Sequence, residues 1–261
     1  MDGILQPEYS KLAEIYDTVM EDVDYVIWAD FIDEIIQRHH PDPETVLEMA
    51  CGTGSLALAL NRYRCYDIFG TDKSPRMIQK AREKARKRGA SIPFCVMDFL
   101  DINIDRKFDI IVSIFDSINY LQSKKDIKRM LKQIKNIMNR HSLFIFDFTT
   151  PKNSRQAIHY LDNDEGITDN NYRFFRKSSY DADQQIHYNN FEIEKLADDQ
   201  QKVLQRFTEI HQQRIYSLTE MQEIVGETDF EIVKAYSEFD MNKATPQSLR
   251  ITMVLRCPSI Q

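Results

Sequence analysis

The feature that most constrains this chain is a rhythm. Between residues 45 and 148, short apolar segments of strand character alternate with segments of helical period, and the joins are short. Strands separated by helices cannot be paired through hairpins, so they lie parallel with helices covering the sheet. Strands are expected over 45–49, 66–71, 93–96, 108–115 and 143–148, and helices over 55–63, 75–88 and 124–138. The segment 108–115 is almost continuously apolar, as befits a strand buried on both faces. Ahead of the array, apolar residues at helical spacing predict helices over 9–20 and 25–38, the second stopped by Pro41 and Pro43.

Beyond residue 148 the rhythm breaks. A helix over 151–159 and a polar loop at 162–166 lead into three long β segments, 172–179, 185–196 and 202–216. Polar turns at 180–183 and 197–200 join them, which is the pattern of an antiparallel meander. A helix over 218–225, capped by Ser217 or Thr219 and closed by Gly226, precedes two last strands, 230–237 and 251–257, that rejoin the sheet. The expected fold is α/β with an inserted antiparallel β lobe. Its expected parts are an N-terminal helical lid (1–40), a core (41–150 and 217–261) and the lobe (151–216).

The first join carries the chemistry. After the strand at 45–49 the chain reads Ala50-Cys51-Gly52-Thr53-Gly54 and then becomes helical. The first glycine permits φ > 0, and the second lets the backbone lie against a ligand with no Cβ in the way. Gly52-x-Gly54-x-x-Ala57 also fits the dinucleotide fingerprint, in which amides at a helix N-terminus receive a pyrophosphate. Glu48 separates the two readings. A carboxylate so close to the turn repels a pyrophosphate and attracts a ligand bearing an ammonium or a sulfonium, and S-adenosylmethionine bears both. Two more acids, Asp72 and Asp98, end the next two strands. Asp72 lies near the ~20-residue spacing at which a carboxylate meets a ribose diol. Asp98, beside Phe99, can accept from an adenine amino group while the ring covers the base. This strand-end edge is where open parallel sheets bind ligands.

Bulk properties narrow the class. A chain of 261 residues that is 42% hydrophobic can fill a core. No apolar stretch approaches the ~20 residues that span a bilayer, and the first residues lack the basic-then-apolar pattern of a secretory leader. A cytoplasmic protein without membrane association is therefore expected. The net charge of −7 works against holding a phosphate backbone, and the basic run at 80–88 closes at Gly89 as a solvated helix end. Nucleic acid is not an expected partner. Cys51, Cys65, Cys95 and Cys257 are scattered, without metal-ligand spacing, so reduced thiols and no metal are expected.

Four motifs together, Glu48-Met-Ala-Cys-Gly52-Thr-Gly54, Gly70-Thr-Asp72-Lys-Ser, Met97-Asp98-Phe99 and Phe108-Asp-Ile-Ile-Val-Ser-Ile-Phe115, resemble the class I S-adenosylmethionine-dependent methyltransferases over roughly residues 45–150. The resemblance implies a seven-stranded Rossmann-like sheet with an antiparallel last strand, and S-adenosyl-L-methionine as cofactor. It implies that Glu48, Gly52 and Gly54 hold the methionine part, Asp72 the ribose, and Asp98 and Phe99 the adenine. Ile114 would lie against the cofactor near the reacting centre, and Ala50, Lys73 and Met77 are counted with the cofactor-binding residues.

A narrower resemblance concerns the substrate. Tyr9-Ser-Lys-Leu-Ala-Glu-Ile-Tyr16-Asp17, Asp24-Tyr25-Val-Ile-Trp28, Phe115-Asp116-Ser117-Ile118-Asn119-Tyr120-Leu121 and Glu209-Ile-His211-Gln-Gln-Arg214-Ile-Tyr216-Ser217 are similar to segments of small-molecule methyltransferases related to the glycine and amino-sugar N-methyltransferases. This implies N-terminal lid helices and a lobe that roofs the substrate pocket. The stretch Asp116-Ser117-Ile118-Asn119 differs from the Asn/Asp-Pro-Pro-Tyr/Phe of nucleobase amino-methyltransferases.

The expected function is methylation of a small molecule, on nitrogen, by in-line transfer. Alternatives are an RNA or protein methyltransferase, or a regulator that binds S-adenosylmethionine without turnover. The expected partner is a small-molecule methyl acceptor, and a homodimer is compatible with the chain. An amine must be neutral to attack, so a group that accepts its proton helps. His211, Asp116 and Tyr16 are the catalytic candidates, Tyr16 also contacting cofactor. Tyr9, Ser117, Tyr120 and Arg214 are the substrate candidates. The bland readings stand beside these: a hydrogen-bonded strand histidine for His211, an ion pair for Arg214, and core aromatics for the tyrosines.

Overall fold

Among the apolar pairs that open the core strands, Val46 and Leu47 point to opposite faces of one sheet, as do Ile110 and Ile111, and each face is buried by its own helices. The computed structural model describes residues 4–63 and 65–258. The first three residues, on which the leader reading partly rests, lie outside them. In chain order the elements are β1 (Ile4–Leu5), α1 (Tyr16–Val19), α2 (Tyr25–His39), β2 (Thr45–Met49), α3 (Ser55–Leu60), β3 (Asp67–Asp72), α4 (Pro75–Lys87) and β4 (Phe94–Val96). There follow β5 (Phe108–Ser113), α5 (Lys124–Asn136), β6 (Met138–Thr149), α6 (Pro151–Leu161), β7 (Asp164–Ile167), β8 (Tyr172–Asp181), β9 (Ile186–Leu196), β10 (Val203–Arg214), α7 (Leu218–Gly226), β11 (Glu231–Ser237) and β12 (Arg250–Arg256).

The main sheet has seven strands in the order β11-β12-β6-β5-β2-β3-β4. β6, β5, β2, β3 and β4 run parallel, and the last strand, β12, runs antiparallel to both neighbours. The chain starts in the middle at β2, builds outward to β4 and returns to β5 on the other side. That reversal opens a crevice at the carboxyl ends of β2 and β5. One face of the sheet packs on α2, α3 and α4 through Ile32, Ile36, Leu56, Leu60 and Ile78. The other packs on α5 and α7 through Ile127, Leu131, Ile134, Met221 and Ile224. Side-chain hydroxyls start four of the helices: Ser74 accepts from Met77 N–H, Ser123 from Asp126, Thr150 from Asn153 and Ser217 from Glu220. Each such cap contributes about 1 kcal/mol.

The second sheet, β1-β10-β9-β8-β7, is antiparallel from β7 to β10, with β1 added parallel at its edge. The helix expected over 9–20 is instead a 3-10 turn at Leu12–Glu14 and the single turn α1. This segment buries Leu12 and Ile15 against Phe174, Phe191, Ile193 and Phe207 of the lobe. Tyr9, at φ 55°, breaks the helical geometry ahead of it. α2 belongs to the core layer rather than to a lid, because Ile32, Ile35 and Ile36 are fully buried under the main sheet. The polar stretch expected as a loop at 162–166 pairs as β7, with Asp164 opposite Arg176 and joined to it at 2.6 Å. β5 stops at Ser113 because Phe115 and Asp116 both turn left-handed at φ 60°. Among the described residues, no helix is long and apolar enough to cross a membrane.

Candidate active site

The turn after β2 is left-handed at Ala50 (φ 54°), Gly52 (φ 53°) and Gly54 (φ 76°). Asp72, at the end of β3, ties this turn to the next one: its two carboxylate oxygens accept from Gly52 N–H at 2.9 Å and Ser74 N–H at 2.8 Å. Above the turn is a cavity reached by Glu48, Ala50, Gly52, Asp72, Lys73 and Met77, and farther along by Asp98 and Phe99. Gly52 faces it, with Tyr16 3.8 Å from where a Cβ would stand. Gly54 does not line it. A Cβ there would sit 2.9 Å from the Phe94 ring, so this glycine serves helix-to-strand packing, a correction to its expected cofactor contact.

Two acids in the cavity are electrostatically poised. Glu48 is buried, its Oε2 has no hydrogen-bond partner, and burial, reinforced by Asp72, pushes its carboxyl up to about 8. Burial also pushes Asp72 up, to about 6, against the pull of the Ser74 and Gly52 amides. At neutral pH Glu48 resists ionising until something positive or hydrogen-bond-donating lies beside it, whereas Asp72 resists only as the pH falls toward about 6. At Asp98 burial would raise the carboxyl too, but the Leu100 N–H (2.9 Å) and Lys73 (3.0 Å) outweigh it and hold the group below its ordinary value.

A second cavity lies between the strand ends of the core and the inner face of the lobe. The register fixes its roof: Arg176 on β8, His187, Asn189 and Phe191 on β9, and His211 and Gln213 on β10 share one face of the antiparallel sheet. Asp116 and Arg250 lie on the core side. Arg250 donates to Asp116 at 3.0 Å and also pairs with the buried Asp147, whose Oδ1 accepts from Asp116 N–H at 3.0 Å. Tyr9, Tyr16, Phe115 and Tyr120 line both cavities. Phe115 is held there by Trp28 and Tyr25, with ring centroids 4.4 Å and 5.1 Å away.

A chain of hydrogen bonds leaves this junction. Tyr9 Oη lies 2.6 Å from Tyr120 Oη, Tyr120 Oη lies 3.0 Å from His211 Nδ1, and His211 Nε2 lies 3.3 Å from Glu209 Oε2. Burial raises all three junction phenols, Tyr9, Tyr16 and Tyr120, well above their ordinary value, so they stay neutral.

Residues 46–141 match the family described as methyltransferase domain. A solved S-adenosylmethionine-dependent methyltransferase from Clostridium acetobutylicum is 25% identical, with a TM-score of 0.77 over 96% of this chain and 99% of that one. The chain is an S-adenosylmethionine-dependent methyltransferase. The candidate methyltransferase YqeM of Bacillus subtilis is 25% identical to it over 247 residues, covering 93% of this chain and 94% of the relative. The dTDP-3-amino-3,6-dideoxy-alpha-D-glucopyranose N,N-dimethyltransferase of Streptomyces fradiae is 28% identical over 131 residues, 49% of each chain.

S-adenosyl-L-methionine is the cofactor of this methyltransferase, and the first cavity fits it. An orphaned, buried carboxylate oxygen on Glu48 suits a positively charged group, and Gly52 leaves room for close approach. Several expected site residues stand elsewhere. Ile114 is buried in the core, and the wall position expected of it belongs to Phe115. Asp116 is ion-paired with Arg250, its Oδ2 accepting from the guanidinium at 3.0 Å while its Oδ1 has no hydrogen-bond partner. Arg214 lines neither cavity; it pairs with Glu220 at 3.1 Å and donates to Ile215 O at 2.6 Å. His211 reaches the second cavity, but both its ring nitrogens are engaged. Ser117 lines the first cavity and donates to Ile114 O at 2.8 Å. Arg176, His187, Asn189 and Arg250 were not foreseen, although the alternation at 187, 189, 191 and at 209, 211, 213 in long β segments marks residues that share a face.

Proposed function

We propose that this methyltransferase methylates the amine nitrogen of a small, hydroxyl-bearing molecule held in the second cavity. The observation that carries the reading is the meeting of the two cavities at Tyr9, Tyr16, Phe115 and Tyr120. A cofactor in the first cavity and an acceptor in the second would face each other there, walled by rings that exclude water. Bound in the first cavity, the cofactor supplies a methyl group on a positively charged sulfur. Glu48 faces the charged end, Asp72 takes the ribose hydroxyls, and Asp98 with Phe99 the adenine.

On the acceptor side the lining carboxylate of Asp116 shares the Arg250 guanidinium with Asp147, which is buried behind the wall, so this group of three carries one more carboxylate than guanidinium, and the aromatic faces add attraction for an ammonium. The rest of the cavity wants hydrogen bonds. Arg176 Nε, Asn189 Oδ1 and Ser154 Oγ are buried without partners, and all three residues line it. Each orphaned group costs about 1–3 kcal/mol until satisfied. Hydroxyl groups both donate and accept, so a polyhydroxylated amine satisfies the set, and the amino-sugar acceptor in the name of the Streptomyces fradiae relative has that chemistry. A crystal structure with S-adenosylhomocysteine tests the arrangement. The sulfur should touch the Tyr9, Tyr16 and Phe115 side chains with its open side toward the second cavity. A sulfur opening to bulk solvent would overturn the reading.

A further inference from the structure

Glu209 stands on β10 with no exposed surface, and among the described residues His211 is its sole ion-pair partner. Its Oε1 accepts from the backbone N–H groups of Lys11 and of Leu12, the latter at 3.0 Å, in the N-terminal segment. Its Oε2 meets His211 Nε2. The same N-terminal segment carries Tyr9, whose hydroxyl meets Tyr120 and whose ring stands edge-on to His211 at 4.7 Å. Glu209, the backbone of residues 9–12, Tyr120 and His211 therefore close a ring of contacts around one buried carboxylate.

We infer that Glu209 is a positioning residue that sets the direction of this hydrogen-bond chain and makes it conditional on the N-terminal segment lying in place. A carboxylate can only accept, so His211 presents N–H at Nε2 and its Nδ1 becomes an acceptor. Tyr120 then donates to Nδ1, and Tyr9 donates to Tyr120. Every donor points away from the junction, so the lone pairs of the Tyr9 oxygen face the two cavities. On the amine reading of the acceptor, on which this role rests, Tyr9 accepts the N–H of the nucleophile and aligns its lone pair with the methyl group. As the N–C bond forms and the S–C bond breaks, sulfur leaves as a neutral thioether and the nitrogen releases a proton. That proton passes to Tyr9 while the Tyr9 proton moves to Tyr120, the Tyr120 proton to Nδ1 and the Nε2 proton to Glu209. His211 ends neutral in its other tautomer and Glu209 ends as a neutral acid.

The coupling follows from the shared carboxylate. If the N-terminal segment lifts, Glu209 loses two donors and Tyr120 loses Tyr9 in one event. The same contacts hold the segment across the first cavity, where Ser74 Oγ donates to Tyr9 O at 2.8 Å and Glu14 pairs with Lys80 at 2.6 Å. No step of this coupling depends on which amine is the acceptor.

The test uses the full chain saturated with S-adenosylhomocysteine and needs no acceptor. Histidine ¹⁵N spectra should show His211 protonated at Nε2, with the signal assigned by its loss in His211→Asn. Amide exchange should show Lys11 and Leu12 protected together. In Glu209→Gln the amide group cannot accept on both sides, so either the tautomer changes or the protection of Lys11 and Leu12 falls, by about tenfold or more. Glu209→Asp should recover part of the protection, and Tyr9→Phe should leave the His211 tautomer unchanged. A wild-type His211 protonated at Nδ1, or a Glu209→Gln protein with both signatures intact, would overturn the inference. Failure of the amine reading shows separately, as absence of methyl transfer to any amine with both signatures present.

Discussion

Lowering the pH from 7 to 6 should weaken S-adenosylmethionine binding roughly tenfold, and Glu48 is the reason. Its carboxyl stands at about 8 in the free protein because burial penalises the charged form and Asp72 adds to that penalty. A sulfonium or ammonium beside it reverses the balance, so binding draws Glu48 to its ionised form and releases a proton. Ionising it costs about 1.4 kcal/mol at pH 7 and about 2.7 kcal/mol at pH 6, which is a factor of ten in affinity between them. Asp72, at about 6, adds a factor of roughly two over the same range if the ribose hydroxyls favour its ionised form. Calorimetry in buffers of different ionisation enthalpy measures both quantities. Affinity should rise with pH, with close to one proton released per cofactor bound, and Glu48→Gln should flatten most of the dependence. Equal affinity at both pH values, with no proton release, would refute the placement of the positive charge beside Glu48.

Four further outcomes follow from the same structure. The cofactor-free protein should lose about 2–3 kcal/mol of stability between pH 6 and 8, seen as a falling Tm: a carboxyl raised by folding stabilises while protonated, fully below about 4.5, and loses that contribution as the pH climbs through about 8. Glu48→Gln should remove most of this slope. Gly54→Ala should cost at least about 2 kcal/mol in chemical denaturation, since it adds a left-handed alanine and a Cβ contact with Phe94, whereas Gly52→Ala, with only Tyr16 in reach, should cost about 1 kcal/mol. Arg250→Met should destabilise by about 3 kcal/mol, because Asp116 and Asp147 are left without their common partner. Arg176→Met and Asn189→Leu should raise KM for the acceptor while S-adenosylhomocysteine affinity stays within about twofold; Arg214→Ala should change neither quantity.

The core was legible because its strands and helices carry their own signals. Thr45–Met49 is apolar with turn residues after it, and Pro75 following Ser74 announces a helix start. The N-terminal segment departs from its helical pattern for a physical reason. Its apolar residues at helical spacing answer to the lobe and to the first cavity rather than to one face of a core, and Tyr9 leaves helical geometry altogether. β7 was invisible because nothing local makes Asp164-Glu-Gly-Ile a strand; Arg176 on the neighbouring strand does.

The site divided along the same line. Acids at consecutive strand ends are a local pattern, and Glu48, Asp72 and Asp98 all reach one cavity. The acceptor side is assembled from residues far apart in the chain, such as Asp116 with Arg250 and Tyr120 with His211, and no local pattern joins them. One signal was available: Asp147 is a lone acid inside the apolar run 143–148, and a buried charge there requires a partner.

Transfer of a labelled methyl group tests the central claim most directly. The protein, S-adenosylmethionine labelled at the methyl carbon and a cell extract that retains its small molecules would be incubated together and then separated by mass and by nuclease and protease sensitivity. The two-cavity account predicts label in low-mass, amine-containing molecules, lost when Tyr9 and Tyr120 are both replaced by phenylalanine. Label in RNA or in protein, or cofactor binding with no transfer to any fraction, would contradict it.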